Sequence, residues 1–299
     1  MNILILTNKD FASLVAMNLL LPELTEHKIT LGTSEKVGGQ QTLCDSLKKL
    51  AGYERQLLEN ADAISFKPLK AWLNQSSGSL LDKKSSNTSD FNEKPMEAVP
   101  LASFEKLSLK YTLDCIAFDN INQKQGLIRV KQLSPALILS VRFGKILQQP
   151  IIDLPSLGVI NLHSGLLPQY QGVMASFWSM LAEEEFIGSC LHRIIDKKID
   201  SGPILKQKAI ALKSQHSYLY NVLSLYPAGC QMILEAVNEL CKGDNLYEGD
   251  QLVSKTANEK AGYFGFPKEI NIEQFVAKGF RLYDPKENLS EALFSQQRG

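Results

Sequence analysis

Two polar side chains, Asn161 and His163, stand two positions apart where a short β-branched run passes into a polar turn. A carboxylate, Asp200, lies in a second polar turn between two apolar runs, within the sequence Ile-Asp-Ser-Gly-Pro. An amide can donate a hydrogen bond to a developing oxyanion, and a carboxylate can orient a neighbouring imidazole or manage protons. If the fold brings them together, these three side chains form a site suited to acyl-type transfer.

Each of these residues also has an ordinary structural explanation when it is considered alone. Asn often closes a turn, a histidine at a strand end is often a satisfied packing residue, and Asp in an Asp-Ser-Gly sequence is usually an Asx-turn residue. The chain contains four histidines, namely His27, His163, His192 and His216. The combination of the three residue types therefore carries the prediction.

The segments that must position these residues predict an α/β architecture. Apolar runs over 2–7 and 27–32 flank a helical spacing over 11–21, and this strand, helix, strand order indicates a parallel sheet. The continuous apolar run over 135–141 is typical of a central parallel strand covered on both faces. Open α/β sheets hold ligands at the carboxyl ends of such strands, which is where Asn161 and His163 fall.

The remaining pattern divides the chain into a large domain and a small tail. We expect strands over 113–118, 189–195 and 204–211, helices over 125–132 and 175–184, and a long helix over 217–240 bent near Pro227. Residues 1–212 are predicted to form the catalytic domain, with a polar, Ser-rich loop or insertion at 74–95, and residues 213–299 a C-terminal helix and an aromatic-containing tail.

Composition excludes several classes of protein. The 299 residues carry 32 Lys and Arg against 32 Asp and Glu, so the bulk attraction that nucleic acid or an anionic membrane would exploit is missing. The apolar N-terminal run ends before it could form a signal peptide, and the five scattered cysteines suggest neither disulfides nor a zinc site. We expect a cytoplasmic protein without a membrane span. The first turn also lacks the Gly-x-Gly-x-x-Gly pattern of dinucleotide sites.

A family resemblance rests on the segment 161–172, which reads Asn-Leu-His-Ser-Gly-Leu-Leu-Pro-Gln-Tyr-Gln-Gly, and on the later Asp200-Ser-Gly-Pro-Ile. This pattern resembles the folate-dependent formyltransferases, which include methionyl-tRNA, glycinamide ribonucleotide and sugar-nucleotide N-formyltransferases and formyltetrahydrofolate hydrolase. The resemblance follows the family's order from about Ala136 to Leu212. It implies a Rossmann-like formyltransferase fold, a mostly parallel sheet with helices on both faces.

The resemblance also implies residue roles. Asn161 and His163 would stabilise the oxyanion formed on the formyl group of 10-formyltetrahydrofolate, and Asp200 would help the attacking amine lose its proton; no metal is needed. Folate-binding positions would line the pterin pocket and the loop that closes over it: Arg142, Phe143, Gly144, Lys145, Ile146, Leu147, Asp196, Lys197, Lys198 and Ile199.

Departures from the family pattern bear on the acceptor. The interval from His192 to Asp200 is one residue longer than in several relatives, which implies an altered pterin loop. Gln169 and Gln171 stand where tRNA- and sugar-modifying relatives usually carry Arg or Lys. The segment after Leu212 also lacks the alternating strands of an oligonucleotide-binding barrel. We therefore expect a small-molecule amine, with an amino-sugar nucleotide as first candidate, and we disfavour tRNA; a homodimer stays open.

Two alternatives share the same site residues. The first is a 10-formyltetrahydrofolate hydrolase, although the hydrolases of this family carry an N-terminal regulatory domain for which a strand starting at Asn2 leaves no room. The second is a non-catalytic binding protein with the same fold. The aromatic cluster Tyr263-Phe264-Gly-Phe-Pro is expected to anchor the tail to the main domain, with a wall of the acceptor pocket as the alternative, and Trp178 is expected to be a core residue.

Overall fold

The computed structural model describes residues 1–34, 43–69, 97–244, 246 and 261–294. Within them, the strands are β1 (Asn2–Asn8), β2 (Lys28–Ser34), β3 (Ser65–Phe66), β4 (Val99–Pro100), β5 (Asp114–Ala117), β6 (Leu137–Val141), β7 (Val159–His163), β8 (Gln171–Gly172), β9 (Phe186–Ile194), β10 (Ile204–Ala211) and β11 (Tyr263–Phe264). The helices are α1 (Phe11–Leu20), α2 (Asp45–Glu59), α3 (Phe104–Tyr111), α4 (Lys124–Leu133), α5 (Gln149–Ile152), α6 (Ala175–Leu181), α7 (Tyr218–Leu223), α8 (Tyr226–Lys242), α9 (Glu269–Ala277) and α10 (Leu289–Phe294).

A seven-stranded mixed sheet organises the described residues, in the order β10-β9-β7-β6-β1-β2-β5. The strands from β7 to β5 pair in parallel, whereas β9 pairs antiparallel with both β7 and β10. Two short pairs, β3 with β4 and β8 with β11, lie outside this sheet. The α/β fold class with a mostly parallel sheet, as expected from the sequence, is confirmed.

Both faces of the sheet are covered by apolar side chains, because the central strands alternate between two cores. In β1, Ile3 and Ile5 belong to the larger core, and Leu4 and Leu6 belong to the smaller one. Helices α1, α6, α7 and α8 contribute to the larger core, and α4 and α5 to the smaller. All five residues of β6 are buried, as the continuous apolar run predicted.

The predicted long helix over 217–240 is wrong in one respect, since the chain breaks into α7 and α8 at Ser224 and Leu225. Pro227 does not bend a continuous helix; it occupies the first turn of α8. A proline is tolerated there because the first amide groups of a helix have no intrahelical acceptor. Helices α2, α3, α9 and α10 were not predicted, and the predicted polar loop at 74–95 lies outside the described residues.

The C-terminal segment docks on the main body through aromatic and polar contacts. Phe275 of α9 is fully buried and stacks on Phe177 of α6, with ring centroids 4.5 Å apart. Glu287, whose side chain is nearly buried, accepts a hydrogen bond from the Ser217 amide at 2.7 Å and pairs with Arg281 at 3.2 Å. No helix among the described residues is long and apolar enough to cross a membrane.

Candidate active site

Strand β7 and its antiparallel neighbour β9 bring the three predicted residues to one place at the carboxyl edge of the parallel strands. Asn161 and His163 alternate with Ile160 and Leu162, whose side chains belong to the larger core, so Asn161 and His163 point to the opposite face. Asp200 follows β9 in a turn and has a left-handed backbone with φ 47°. Asp is among the few residues that adopt this conformation readily.

The carboxylate of Asp200 lies between two imidazoles. Its Oδ2 is 3.4 Å from Nδ1 of His163, and its Oδ1 is 3.3 Å from Nε2 of His192. The Gly172 amide donates to Asp200 Oδ2 at 2.9 Å. Asn161 Nδ2 donates to His192 Nε2 at 3.0 Å, so all four side chains form one connected polar group.

Hydrogen-bond roles fix where the ring protons sit in the neutral imidazoles. His163 Nε2 lies 2.7 Å from the carbonyl oxygen of Tyr170, which can only accept, so Nε2 carries the proton and Nδ1 turns a lone pair toward Asp200. His192 Nδ1 similarly donates to the Arg193 carbonyl at 3.0 Å. His192 Nε2 is then an acceptor, and the hydrogen bond that it receives from Asn161 orients the Asn161 amide. The second N–H of the Asn161 amide stays free to donate.

Burial and charge give the acid and the base different pKa shifts. Burial lowers the pKa of His163 below its ordinary value, although the Asp200 charge opposes this. Burial raises the pKa of Asp200, but His163, His192 and the Gly172 amide outweigh it and hold that pKa below the ordinary value. Near neutral pH the site thus holds an ionised carboxylate facing a neutral imidazole nitrogen, an arrangement ready to accept one proton.

Two glycines allow these contacts. A Cβ on Gly165 would lie 2.7 Å from His163 Nε2 and 3.0 Å from the Tyr170 carbonyl, so a side chain there would block the bond between them. A Cβ on Gly202 would lie 1.9 Å from the carbonyl oxygen of Arg193, where the turn carrying Asp200 crosses the end of β9. Real Cβ atoms do not approach a carbonyl oxygen this closely, so both positions require glycine.

Two residues of this site were missed in the sequence. His192 was among the four histidines, but its role follows from the antiparallel register that places it opposite Asn161. Gln171, read only as a lost charge, donates from Nε2 to the Asp200 carbonyl at 3.1 Å and so holds the turn. The alternation along β9 could have suggested that His192 points to the same face as Asn161, had the pairing been known.

The predicted folate-binding positions occupy two segments, 142–147 directly after β6 and 196–199 between β9 and β10. Gly144 donates its amide to Ser34 Oγ at 3.1 Å, Leu147 is buried in the smaller core, and Ile146 is 54% exposed. The turn with Asp196 and Lys198 is closed by a 2.7 Å bond from the Lys198 amide to Asp196 Oδ1. Phe143 packs against the smaller core, Lys145 and Ile199 are half-buried, and Lys197 is exposed.

Arg142 differs from the other predicted folate-binding positions because its side chain turns toward the larger core. Its backbone is left-handed, with φ 60°, and its guanidinium binds both carboxylate oxygens of Asp10, with Nη2 2.8 Å from Oδ2. Nη1 donates to the Tyr226 hydroxyl at 3.4 Å. Glu54 of α2 adds a second carboxylate beside this ion pair. We name Asp10, Glu54, Arg142 and Tyr226 the rim cluster.

Glu54 is the titrating member of the rim cluster. Burial and the Asp10 charge raise the pKa of its carboxyl to about 7, against the opposing effect of Arg142. Between about pH 4.5 and pH 7 the folded chain keeps a proton that the unfolded chain loses, so the free energy of unfolding falls as pH rises through this window. Glu54→Gln removes this loss, and relative to the parent chain it should gain about 3 kcal/mol between the two ends of the window.

Urea unfolding at about pH 4.5 and about pH 8 measures this gain. Glu59→Gln is the matched control, because Glu59 is an exposed carboxylate on the same helix. Equal stability differences for Glu54→Gln at both pH values would show that Glu54 keeps its ordinary titration.

Residues 84–221 match the family model described as formyl transferase. A methionyl-tRNA formyltransferase of Thermodesulfovibrio yellowstonii is 31% identical over 139 residues, 46% of this chain and 45% of that protein. One of Kosmotoga olearia is 28% identical over 190 residues, 63% of this chain and 61% of that protein. This chain therefore spans about half the length of these curated relatives.

The solved structures supply a likeness in fold. The chain superposes on glycinamide ribonucleotide transformylase 1 of Symbiobacterium toebii with a TM-score of 0.53, covering 84% of this chain and 92% of that one at 13% identity. The fold is thus that of a formyltransferase, and the resemblance seen in the sequence is confirmed. Through residues 84–221, the chain is similar to the formyl transferase family.

Proposed function

We propose that this chain transfers a formyl group from 10-formyltetrahydrofolate to the amine of a small-molecule acceptor. One observation carries the proposal: Asn161, His163 and Asp200, far apart in the sequence, converge on one point at the carboxyl edge of the sheet. We assign residues 1–212 to the catalytic domain and residues 213–299 to a C-terminal helix and tail that dock against it.

The proposed chemistry divides between the two sides of the polar group. The free N–H of Asn161 donates to the formyl oxygen as it gains negative charge. His163 adds favourable charge beside that oxygen when its Nδ1 shares with Asp200 the proton that the amine gives up. A preorganised donor of this kind contributes about 3–4 kcal/mol to transition-state stabilisation. Asp200, ionised and facing a lone pair of His163, accepts the proton that the amine loses, and the leaving folate nitrogen takes it back.

The residues beside this site suit a flat, heteroaromatic donor. Ile146 and Ile195, which lie in the segments after β6 and β9, expose 54% and 46% of their surfaces, and Leu147 is buried next to Ile146. Gln149, which begins the helix after Leu147, donates to the Ile195 carbonyl at 3.3 Å and joins the two segments. Exposed apolar side chains next to convergent polar groups are the usual lining of a ligand site.

Two features support a small acceptor over tRNA. The chain has no net formal charge, whereas binding a polyphosphate backbone depends on clustered Lys and Arg. Among the described residues, the tail from 261 to 294 forms one two-residue strand and two helices, not a barrel. Methionyl-tRNA is nevertheless a second candidate, because methionyl-tRNA formyltransferases are among the relatives that match here.

A comparison of acceptors tests the proposal. Tetrahydrofolate release from 10-formyltetrahydrofolate is measured with an amino-sugar nucleotide, glycinamide ribonucleotide, methionyl-tRNA, and no amine. We expect kcat/KM for a small amine to exceed that for methionyl-tRNA by at least about tenfold. The reverse order would establish tRNA as the acceptor.

The reaction without amine separates transfer from hydrolysis. Formate release at a rate that rivals transfer would identify a hydrolase. Calorimetric titration with a folate analogue adds an activity-independent control, because absence of binding would contradict both enzymatic readings and favour a non-catalytic protein.

A further inference from the structure

The loop over 168–173 holds both His163 and Asp200, and it is itself held by the tail. The Tyr170 carbonyl accepts from His163 Nε2 at 2.7 Å, and the Gly172 amide donates to Asp200 Oδ2 at 2.9 Å. Within this loop the regular structure is β8, two residues long. So short a strand is not stable by itself and depends on what pairs with it.

Among the described residues, β8 pairs with β11, which lies about ninety residues later in the chain. The Gln171 amide donates to the Gly262 carbonyl at 2.8 Å, and the Val173 amide donates to the Phe264 carbonyl at 2.9 Å. The Gly262 amide returns a 3.3 Å bond to the Pro168 carbonyl. The loop is thus bonded to the tail on both sides of Gly172.

The approach of the two backbones is close enough to exclude side chains. A Cβ on Gly172 would lie 2.1 Å from the Phe264 carbonyl oxygen, and Gly172 has φ 97°. A Cβ on Gly262 would lie 2.5 Å from the Gln169 carbonyl oxygen. Neither position has room for a side chain, so the backbones of the loop and of β11 hold each other at a fixed, short distance.

An aromatic stack holds β11 between the loop and α6. The Phe264 ring lies between Tyr170, with ring centroids 5.6 Å apart, and Trp178 of α6, with centroids 5.1 Å apart; both pairs are stacked. Trp178 Nε1 donates to the Gly265 carbonyl at 3.1 Å. The tail aromatics therefore contact the residue whose carbonyl orients His163.

We propose that β11, through the Phe264 ring and backbone, is a positioning element that sets the orientation of His163 and the placement of Asp200. The tail is then a working part of the site in addition to an anchor. The catalytic consequence rests on the proposed function, but the orientation of the imidazole does not, since it can be measured without turnover.

Phe264→Ala tests the proposal by removing the ring that stacks on Tyr170. In nitrogen NMR of labelled histidine, the His163 Nε2–H should exchange with water at least about tenfold faster than in the parent chain. The pKa of His163 should move up toward 6.5, because water reaches a ring whose pKa burial lowers. Phe264→Tyr keeps the stacked ring and should restore both signals.

Tyr263→Ala is the matched control, since the Tyr263 ring is 63% exposed on the same strand and its removal should leave the imidazole signals unchanged.

For formyl transfer, Phe264→Ala should lower kcat about tenfold with KM for the acceptor within about twofold. Unchanged imidazole signals in folded Phe264→Ala, or equal changes in Tyr263→Ala, would overturn the proposal. Should Phe264→Ala not fold, Phe264→Leu takes its place in the same comparison. Altered imidazole signals with no transfer to any acceptor would instead reject the proposed function and leave the positioning role standing.

Discussion

Asp200→Asn should lower kcat/KM for formyl transfer by about 10²–10⁴-fold while the chain stays folded. The amide is the same size as the carboxylate, and its oxygen can still accept from the Gly172 amide at the position of Oδ2. Its nitrogen takes the position of Oδ1, which lies 3.3 Å from His192 Nε2. The geometry is therefore retained, but the group that accepts the amine proton is lost.

The measurement is the transfer rate with the best acceptor from the amine comparison, together with a thermal unfolding curve. Asp114→Asn is the matched control, because Asp114 is an exposed carboxylate at the start of the edge strand β5. NMR titration adds an independent result, since loss of the Asp200 charge should lower the pKa of His163 further. A folded Asp200→Asn protein with an undiminished rate would exclude Asp200 as the proton acceptor.

Gly202→Ala should reduce the transfer rate about a hundredfold without touching any side chain of the site. The added Cβ would meet the Arg193 carbonyl oxygen at 1.9 Å, so the turn carrying Asp200 must move away from β9 by about 1 Å or more. A shift of that size separates the carboxylate from His163 and His192, which now lie 3.4 and 3.3 Å from it.

Gly52→Ala is the matched control for Gly202→Ala. Gly52 lies on the exposed face of α2, and an added Cβ there meets nothing within 4 Å. It should keep the rate and stabilise the helix by about 0.5–1 kcal/mol, because alanine is a better helix former than glycine. A Gly202→Ala protein that transfers at the parent rate would mean that the turn tolerates displacement, and Asp200 would not need its present position.

The sequence was sufficient to place Asn161 and His163 at the carboxyl end of a parallel strand. Their meeting with Asp200 was expected from the family resemblance, because β9, the strand before Asp200, is antiparallel to β7. The sequence was also sufficient to predict β1 and β6, whose apolar runs are uninterrupted. These predictions depend on local pattern alone. Local pattern is what a single sequence states directly.

The partners of these residues depend on pairing between distant segments, which local pattern does not encode. His192 joins the site through the register of β9 on β7, and a shift by one residue would turn its ring to the other face. The strands β8 and β11 have two residues each, too few to show alternation. The face to which Arg142 points was hidden for a different reason, since its left-handed backbone redirects the side chain toward Asp10.

The pairing of β8 with β11 has a consequence for how the chain comes into being on the ribosome. Residues 159–200 emerge early and can assemble their part of the sheet, but the strand that pairs with Gly172 is synthesised about ninety residues later. At roughly 5–20 residues per second, that interval lasts on the order of 5–20 s. A nascent chain should therefore form this part of its sheet before the active-site loop is in place. The site should become complete only after the segment with Phe264 has been synthesised and has paired with β8.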